Sequence, residues 1–274
     1  MQHPVRAMRL TRWDLLVALQ AALLAAIALA IAWLVTAASD EGAVGWGTRA
    51  GRTLPLTPLA AAVGAWGALA RVRARGEVTA LSALGRAPSR TAAPAVAGGA
   101  LVGLLASLLV GAVPSVDVSG FYPVATRSTA WQWRDGSFED RVQGLRVDAD
   151  GVPIRLTPSA LSANLQGIPP HGRLAAALAT ALAAIALGAL SARAALSSAS
   201  RFSAPNRASR NRRPRFAQLG NARFGADPLL ATASATASVV LFQAAAAQRT
   251  YALWAIVPPA LLLAFAVGRY RAWR

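Results

Sequence analysis

The positions of arginine divide this chain into alternating apolar and basic segments. Six stretches of 17 to 23 residues contain no charged residue, although the chain has 28 basic residues, all of them arginine. A charged side chain at the centre of a bilayer-spanning helix costs roughly 2.5–3.5 kcal/mol, and about 20 helical residues cross the hydrocarbon core. We therefore predict an all-α polytopic membrane protein with six transmembrane helices, over Leu15–Ala37, Leu54–Ala70, Ala92–Val113, Leu174–Ala192, Leu229–Ala247 and Tyr251–Val267.

The charge of the intervening segments predicts how the chain is threaded. The formal net charge is +17. Nineteen arginines but only three acidic residues lie in the four segments 1–14, 71–91, 193–228 and 268–274. Cytoplasmic loops of membrane proteins have this excess of positive charge, so both termini are placed in the cytoplasm. We interpret the charge as a topology signal and expect no nucleic-acid partner.

The first apolar stretch follows Arg6, Arg9 and Arg12 and could be mistaken for a signal peptide. It has 23 residues, whereas the apolar region of a cleavable signal has about 7–15. Val35-Thr36-Ala37 would be an acceptable cleavage site, so processing stays an alternative to an uncleaved first span.

The composition excludes several kinds of chemistry. The sequence has no cysteine and no lysine, so it offers no thiol nucleophile, no Cys-ligated metal and no P-loop lysine. His3 and His171, the two histidines, lie outside the predicted spans. We therefore expect that the chain is not an enzyme and binds no cofactor or metal ion. Any nucleotide hydrolysis would be carried out by a partner subunit.

A short amphipathic helix is predicted between the second and third spans, at about residues 76–85. Val78, Leu81 and Leu84 share one face at helical spacing, and Gly76 and Gly85 bound the segment. We interpret it as a helix lying along the cytoplasmic surface. The alternative is an ordinary solvated loop.

A small antiparallel β insertion is predicted between the third and fourth spans. Trp131, Trp133 and Phe138 surround Asp135-Gly136, and a second alternating pattern surrounds Asp150-Gly151. Asp-Gly between alternating residues is typical of hairpins, although the aromatic residues could instead lie at the bilayer interface. The predicted organisation is therefore 1–115 with the first three spans, 116–172 with the β-rich periplasmic region, and 173–274 with the last three spans and the basic cytoplasmic loop 193–228.

Three further patterns lead to expectations about packing and partners. Gly99 and Gly103 form a small-xxx-small pair that would let another helix approach closely. Pro258-Pro259 should bend the last span or end its first turn. The arginines of 193–228 are explained by topology and by attraction to anionic lipids, or alternatively by a docking site for a cytoplasmic partner.

Part of the sequence resembles the LptF/LptG permease family, best over residues 50–115. The matching motifs follow one another: a span opened by Leu54-Pro55-Leu56, a basic stop at 71–75, a Glu-x-x-Ala-Leu helix at 77–81, Gly85-Arg86, and Pro94 at the start of the third span. The stretch from Trp254 to Pro258 is also similar to the final helix of that family.

The resemblance implies a 3+3 arrangement of helices in the membrane half of an ABC-type lipopolysaccharide exporter of the bacterial inner membrane. The 76–85 helix would dock on an LptB-like ATPase, with Glu77 as the residue carried over and Val78, Leu81 and Leu84 beside it. Spans one and five would line a lateral opening for lipid. A second permease subunit and a periplasmic bridge protein would be further partners.

Two departures from the family pattern affect the predicted substrate site. The periplasmic region is shorter than the β-jellyroll of the family, and Asp40 and Glu41 stand where an anionic lipid calls for cations. Arg49 and Arg52 could supply the phosphate contacts instead. The expected function is therefore the export of lipopolysaccharide or a related lipidic substrate. The alternative is a non-transporting membrane scaffold or assembly factor of the same fold.

Overall fold

The computed structural model consists of long helices joined by short connections. It describes residues 11–39, 45–122, 132–134, 137–140, 145–147, 150–151, 153–155, 168–200, 226–247 and 249–272. In these residues we number eight α-helices: α1 (Arg12–Ser39), α2 (Trp46–Thr53), α3 (Thr57–Ala74), α4 (Glu77–Ala83), α5 (Pro88–Ala112), α6 (Gly172–Ser200), α7 (Ala226–Ala246) and α8 (Val257–Arg271). Short 3-10 turns lie at Leu54–Leu56, Val118–Phe121 and Ala252–Ile256.

Six helical stretches of the described residues are long and apolar enough to cross a membrane. They are Arg12–Ser39, Trp46–Ala74, Pro88–Ala112, Gly172–Ser197, Asp227–Ala246 and Ala252–Arg271. Their number and order agree with the six predicted apolar segments, and the architecture fits a helical membrane protein.

The second span begins earlier than predicted. The sequence predicts a span from Leu54, whereas α2 occupies Trp46–Thr53 and continues through the 3-10 turn into α3. Its glycines serve close packing. A Cβ on Gly47 would lie 2.0 Å from the Ser115 carbonyl oxygen, and one on Gly51 would lie 1.8 Å from that of Asp117. These glycines let α2 approach the backbone of the segment after α5.

The helices pack through small residues. Helices α1, α3 and α5 contact one another, α6 packs on α3 and α5, α8 packs on α6, and α7 packs mainly on α8 and the turn before it. The residues buried between them are mostly alanine. Gly99 and Gly103 do admit close neighbours, as predicted, but they face two different helices. Added Cβ atoms there would lie 2.6 Å from the Ala61 carbonyl oxygen of α3 and 2.3 Å from the Ala184 Cβ of α6.

The bundle has two ends. We call the end where α4 joins α3 to α5 the α4 end, and the end where the chain leaves α5 and returns into α6 the insertion end. At the insertion end the Arg173 guanidinium donates to the carbonyl oxygens of Val110, Val113, Pro114 and Val116, at 2.8–3.2 Å. One side chain thus binds a carbonyl group in the last turn of α5, where carbonyls lack helical partners, and three more in the segment that follows.

The predicted β insertion is confirmed as a four-stranded antiparallel sheet in which each strand pairs with the next one along the chain. Trp133 pairs with Phe138 across the first hairpin, and Arg146 pairs with Ile154 across the third strand pair. Gly151, in the predicted Asp-Gly turn, has φ 75°. The strands are Gln132–Arg134, Ser137–Asp140, Leu145–Val147 and Pro153–Arg155.

The boundaries of the remaining elements refine the predictions. The basic segment 193–228 is not a loop throughout, because α6 continues to Ser200 and α7 begins at Ala226. Its residues 201–225 lie outside the described residues, as do Asp40 and Glu41. Pro258 and Pro259 lie at the start of α8 after a 3-10 turn, which agrees with the expected effect on the first turn.

Candidate functional site at the α4 end

The predicted short helix is present as α4, and glycine fixes both of its ends. Gly76 precedes it with φ 74° and Gly85 follows it with φ 77°. The Gly85 amide donates to the Ser82 carbonyl at 3.0 Å, and the Arg86 amide donates to the Leu81 carbonyl at 3.0 Å. This pair of hydrogen bonds is a Schellman motif, which closes a helix and reverses the chain. The connection between α3 and α5 is therefore a defined structure.

The first turn of α1 lies beside α4 and has its own cap. The Thr11 hydroxyl accepts from the Asp14 amide at 3.2 Å, and the Asp14 carboxylate accepts from the Thr11 amide at 3.0 Å. These reciprocal bonds form a capping box with Asp in place of the usual Glu. The cap sets the position of Trp13 and Asp14, the two side chains that reach the α4 segment.

Glu77 binds within the protein. One of its carboxylate oxygens accepts from the Trp13 indole nitrogen at 2.8 Å, and the other lies 3.8 Å from the Arg75 guanidinium. Arg75 is largely exposed, so the ion pair adds little stability. The Trp13 hydrogen bond joins α4 directly to α1.

Arg86 makes a second connection between the end of α4 and α1. Its guanidinium pairs with the Asp14 carboxylate, lies 4.6 Å above the Trp13 ring and donates to the Arg90 carbonyl oxygen at 3.1 Å. The Asp14 and Arg86 side chains are only 10% and 21% exposed, so this charge pair is better shielded from water than a surface pair. We call Trp13, Asp14, Glu77 and Arg86 the α1–α4 contact.

The predicted apolar face of α4 is divided between the bundle and solvent. Val78 packs against the buried cluster of α1, α3, α5 and α6, and Leu81 is half-buried. Leu84 is 84% exposed. The three side chains of the predicted apolar face therefore differ in environment, because Leu84 lies in the Schellman turn, away from the bundle. The outward surface of α4 is formed by Leu84 together with Thr79, Ala80, Ser82 and Ala83.

The other helices are fastened at the same end by polar contacts. Asp227, in the first turn of α7, binds Arg269 of α8 at 3.2 Å and Arg193 of α6 at 3.5 Å. The Tyr270 hydroxyl donates to the Ser89 carbonyl oxygen and so joins α8 to α5. Both peripheral helices, α1 and α7, thus begin with an aspartate that is bound to arginine.

The predicted lipid-headgroup residues lie apart from α4. Arg49 and Arg52 belong to α2 at the insertion end, three residues apart on one side of that helix. The Arg49 guanidinium is partly buried and lies 5.9 Å from the Trp33 ring of α1, whereas Arg52 is exposed. Arg52 therefore has the more accessible charge, and Arg49 also fastens α2 to α1.

Two partners in this site were missed by sequence reasoning. The Thr11-x-x-Asp14 pattern could have located the cap, since capping boxes are recognisable locally. No local signal relates Trp13 to Glu77, 64 residues later, or Arg86 to Asp14. The arrangement joins α4 and the turn after it to α1 through side-chain hydrogen bonds. Among the described residues, no group of three His, Asp or Glu side chains could hold a metal ion.

Comparison with protein-family models, with curated proteins and with solved structures finds no significant match.

Proposed function

We propose that this protein is the permease subunit of an ABC-type exporter of the bacterial inner membrane, related to LptF/LptG. It moves lipopolysaccharide or a related lipidic substrate out of that membrane, driven by a separate cytoplasmic ATPase. The observation that supports this most is α4 itself: a short helix with an exposed surface between two spans, hydrogen-bonded to the first span by the α1–α4 contact.

The contact suggests how ATPase motion would reach the membrane. A force on the outward surface of α4 acts on α3 and α5 through the chain and on α1 through Trp13 and Asp14. Glu77, the residue carried over from the family, takes part through the Trp13 hydrogen bond. Its role in this proposal is to couple α4 to α1, and the surface that meets the ATPase is centred on Ala83 and Leu84.

The exposure of the peripheral helices supports the lipid part of the proposal. In α1 and α7 only 17% and 11% of the membrane-length window is buried, against 28–56% in the other four spans. These are spans one and five, which would border the lateral opening and the second permease subunit. The apolar side chains on their free surfaces suit contact with lipid.

The ATPase partner can be tested by substitution on α4. Ala83→Glu places a charge on its outward surface, and Ala272→Glu makes the same change at an exposed position at the end of α8. Tagged full-length protein purified in mild detergent from its own host should retain a nucleotide-binding protein and ATPase activity. Ala83→Glu should reduce both by about tenfold, since a charge in the centre of an interface is costly. Ala272→Glu should reduce neither.

The alternative function is a non-transporting scaffold. It is favoured by the small size of the β insertion, whose four described strands have three or four residues each. Purification of the wild-type chain with no nucleotide-binding protein, together with unchanged phenotypes for Ala83→Glu, would contradict the permease proposal and favour the scaffold.

A further inference from the structure

A cavity of about 1110 Å³ opens at the insertion end of the bundle. It lies between the residues that lead into α6 and the turn that joins α7 to α8. Typical small-molecule sites occupy about 300–1,000 Å³. The cavity is therefore large enough for a lipid headgroup together with the first part of its acyl chains. It lies at the opposite end of the bundle from α4.

The polar groups of the cavity come from two parts of the chain. His171 has φ 61°, and its backbone is held by hydrogen bonds from the Gly172 amide to the Pro169 carbonyl at 2.8 Å and from the Ala175 amide to its own carbonyl at 2.9 Å. A non-glycine residue stays in this conformation only where its surroundings enforce it. The histidine at the cavity wall therefore has a fixed backbone position.

Arg249 and Thr250 line the other side of the cavity. Arg249 is exposed, and within the described part of the chain its guanidinium has no carboxylate partner. The Thr250 hydroxyl is shielded from solvent and has no hydrogen-bond partner among the same residues. A buried hydroxyl without a partner costs about 1–3 kcal/mol, so a bound ligand with acceptor oxygens would remove a real penalty.

Aromatic and apolar side chains complete the cavity. Tyr251 is 82% exposed and Trp254 is 56% exposed. Tyrosine and tryptophan are enriched where a membrane protein passes from hydrocarbon to headgroups. Leu253, in the same wall, and Leu261, further along α8, are also exposed. In chain order these exposed residues thus pass from cationic to aromatic to aliphatic, the three kinds of group that an anionic amphiphile contacts.

We propose that this cavity binds an anionic membrane phospholipid. The headgroup phosphate is bound by Arg249, with His171 and the Thr250 hydroxyl as further donors, because guanidinium groups match phosphate oxygens in a bidentate geometry. Tyr251 and Trp254 cover the glycerol region, and the acyl chains follow α8 past Leu261. The site requires neither an ATPase nor transport, and it therefore goes beyond the proposed function.

The test uses Trp254 as a reporter in the full-length protein. The chain is reconstituted in phosphatidylcholine nanodiscs containing a rising mole fraction of phosphatidylglycerol with brominated acyl chains, which quench nearby tryptophan. The difference between wild type and Trp254→Phe gives the quenching of Trp254 alone. Arg249→Gln should shift the midpoint of this quenching to about fivefold to tenfold higher mole fraction. Arg271→Gln, which removes an exposed arginine at the α4 end, should leave it unchanged.

Two further measurements separate the alternatives. Brominated phosphatidylcholine should quench Trp254 with the same midpoint in wild type and Arg249→Gln, and inorganic phosphate in millimolar excess should not relieve quenching by phosphatidylglycerol. If Arg249→Gln cannot be reconstituted, His171→Asn gives the same readout, since Asn tolerates positive φ and removes the imidazole. The proposal is overturned by an unchanged midpoint in the variant, or by competition from free phosphate, which would identify a soluble anion as the ligand.

Discussion

At the scale of single residues, the α4 end depends on charged groups whose partners come from distant parts of the chain. Arg86 contacts both the carboxylate of Asp14 and the ring of Trp13, and Glu77 binds the indole of the same tryptophan. Trp13 is thus held by a cation on its ring and by an anion at its nitrogen. Each group supports the position of the next, so their energies should be coupled.

A double-mutant cycle can measure this coupling. Asp14→Asn keeps a capping oxygen but loses the charge, and Arg86→Gln loses the cation. We expect a coupling energy of about 0.5–3 kcal/mol between them, measured from unfolding of the purified protein in detergent. Arg90→Gln, at an exposed arginine nearby, should show no coupling with Asp14→Asn. Additive effects of Asp14→Asn and Arg86→Gln would contradict the ion pair.

Tyr122 should make the stability of the fold depend on pH in the alkaline range. Its hydroxyl donates to the Gly172 carbonyl oxygen at 2.7 Å, and burial raises the pKa of the phenol above its ordinary value of 10.0. The unfolded chain therefore releases this proton at a lower pH than the folded chain does. The contribution of Tyr122 to stability is complete below about pH 10 and is lost as the pH rises beyond it.

The expected result is a smaller loss of stability in Tyr122→Phe than in wild type when the pH is raised through 10. The substitution itself should cost about 1 kcal/mol at neutral pH, because one buried hydrogen bond is lost. Thermal unfolding in detergent across this pH range checks both statements. Tyr251→Phe is the matched control, since it removes the hydroxyl of a tyrosine that is largely exposed and leaves Tyr122 in place. The sequence has no lysine or cysteine that would titrate in the same range.

At the scale of elements, those that depend on nearby residues in the sequence were predicted, and those that depend on contacts between distant residues were not. The spans depend on the local absence of charge, and α4 depends on two glycines and an apolar spacing within ten residues, so the sequence was sufficient for both. Helix α2 depends on the close approach of Gly47 and Gly51 to the segment after α5. Ser115, the residue that Gly47 approaches, lies about 68 residues later in the sequence. The capping of α5 by Arg173 is also a long-range contact. Neither can be recognised from local sequence.

Close helix packing predicts a strong effect of position on glycine substitutions. A Cβ at Gly98 would lie 2.0 Å from the Ala18 carbonyl oxygen of α1, whereas one at Gly188 of α6 would have no neighbour within 4 Å. Gly98→Ala should therefore separate α1 from α5 and cost about 1–3 kcal/mol. Gly188→Ala should be neutral or stabilising by up to about 1 kcal/mol, because alanine favours the helix. Thermal unfolding in detergent would distinguish them, and equal effects would contradict the packing of α1.

At the scale of the whole molecule, α6 joins two unequal groups of helices. One group is the compact set α1, α3 and α5, and the other is α8 with α7 at its outer side. The sequence predicted six spans but not this arrangement, because which helices touch depends on side-chain complementarity between distant segments. The exposed sides of α1 and α7 are where the proposed second subunit and lipid would be found.

The proposed threading can be tested with single cysteines, since the natural chain has none. Gly45→Cys lies at the insertion end and Ala83→Cys lies on α4, and both positions are exposed. In cells with a permeabilised outer membrane and an intact inner membrane, a membrane-impermeant maleimide should label Gly45→Cys. Ala83→Cys should react only after the inner membrane is broken. Labelling of Ala83→Cys before that step would show that α4 faces the periplasm. It would therefore contradict the proposed orientation and the binding of a cytoplasmic ATPase.

The two left-handed glycines around α4 have a consequence for any protein that binds there. The helix has only seven residues, a length that would be largely unfolded as an isolated peptide. Here the helix is formed without a partner, because it is stabilised by Gly76, by Gly85 and by the hydrogen bond to α1. Association would then require little loss of conformational entropy, so even a small contact area could give useful affinity and still dissociate quickly.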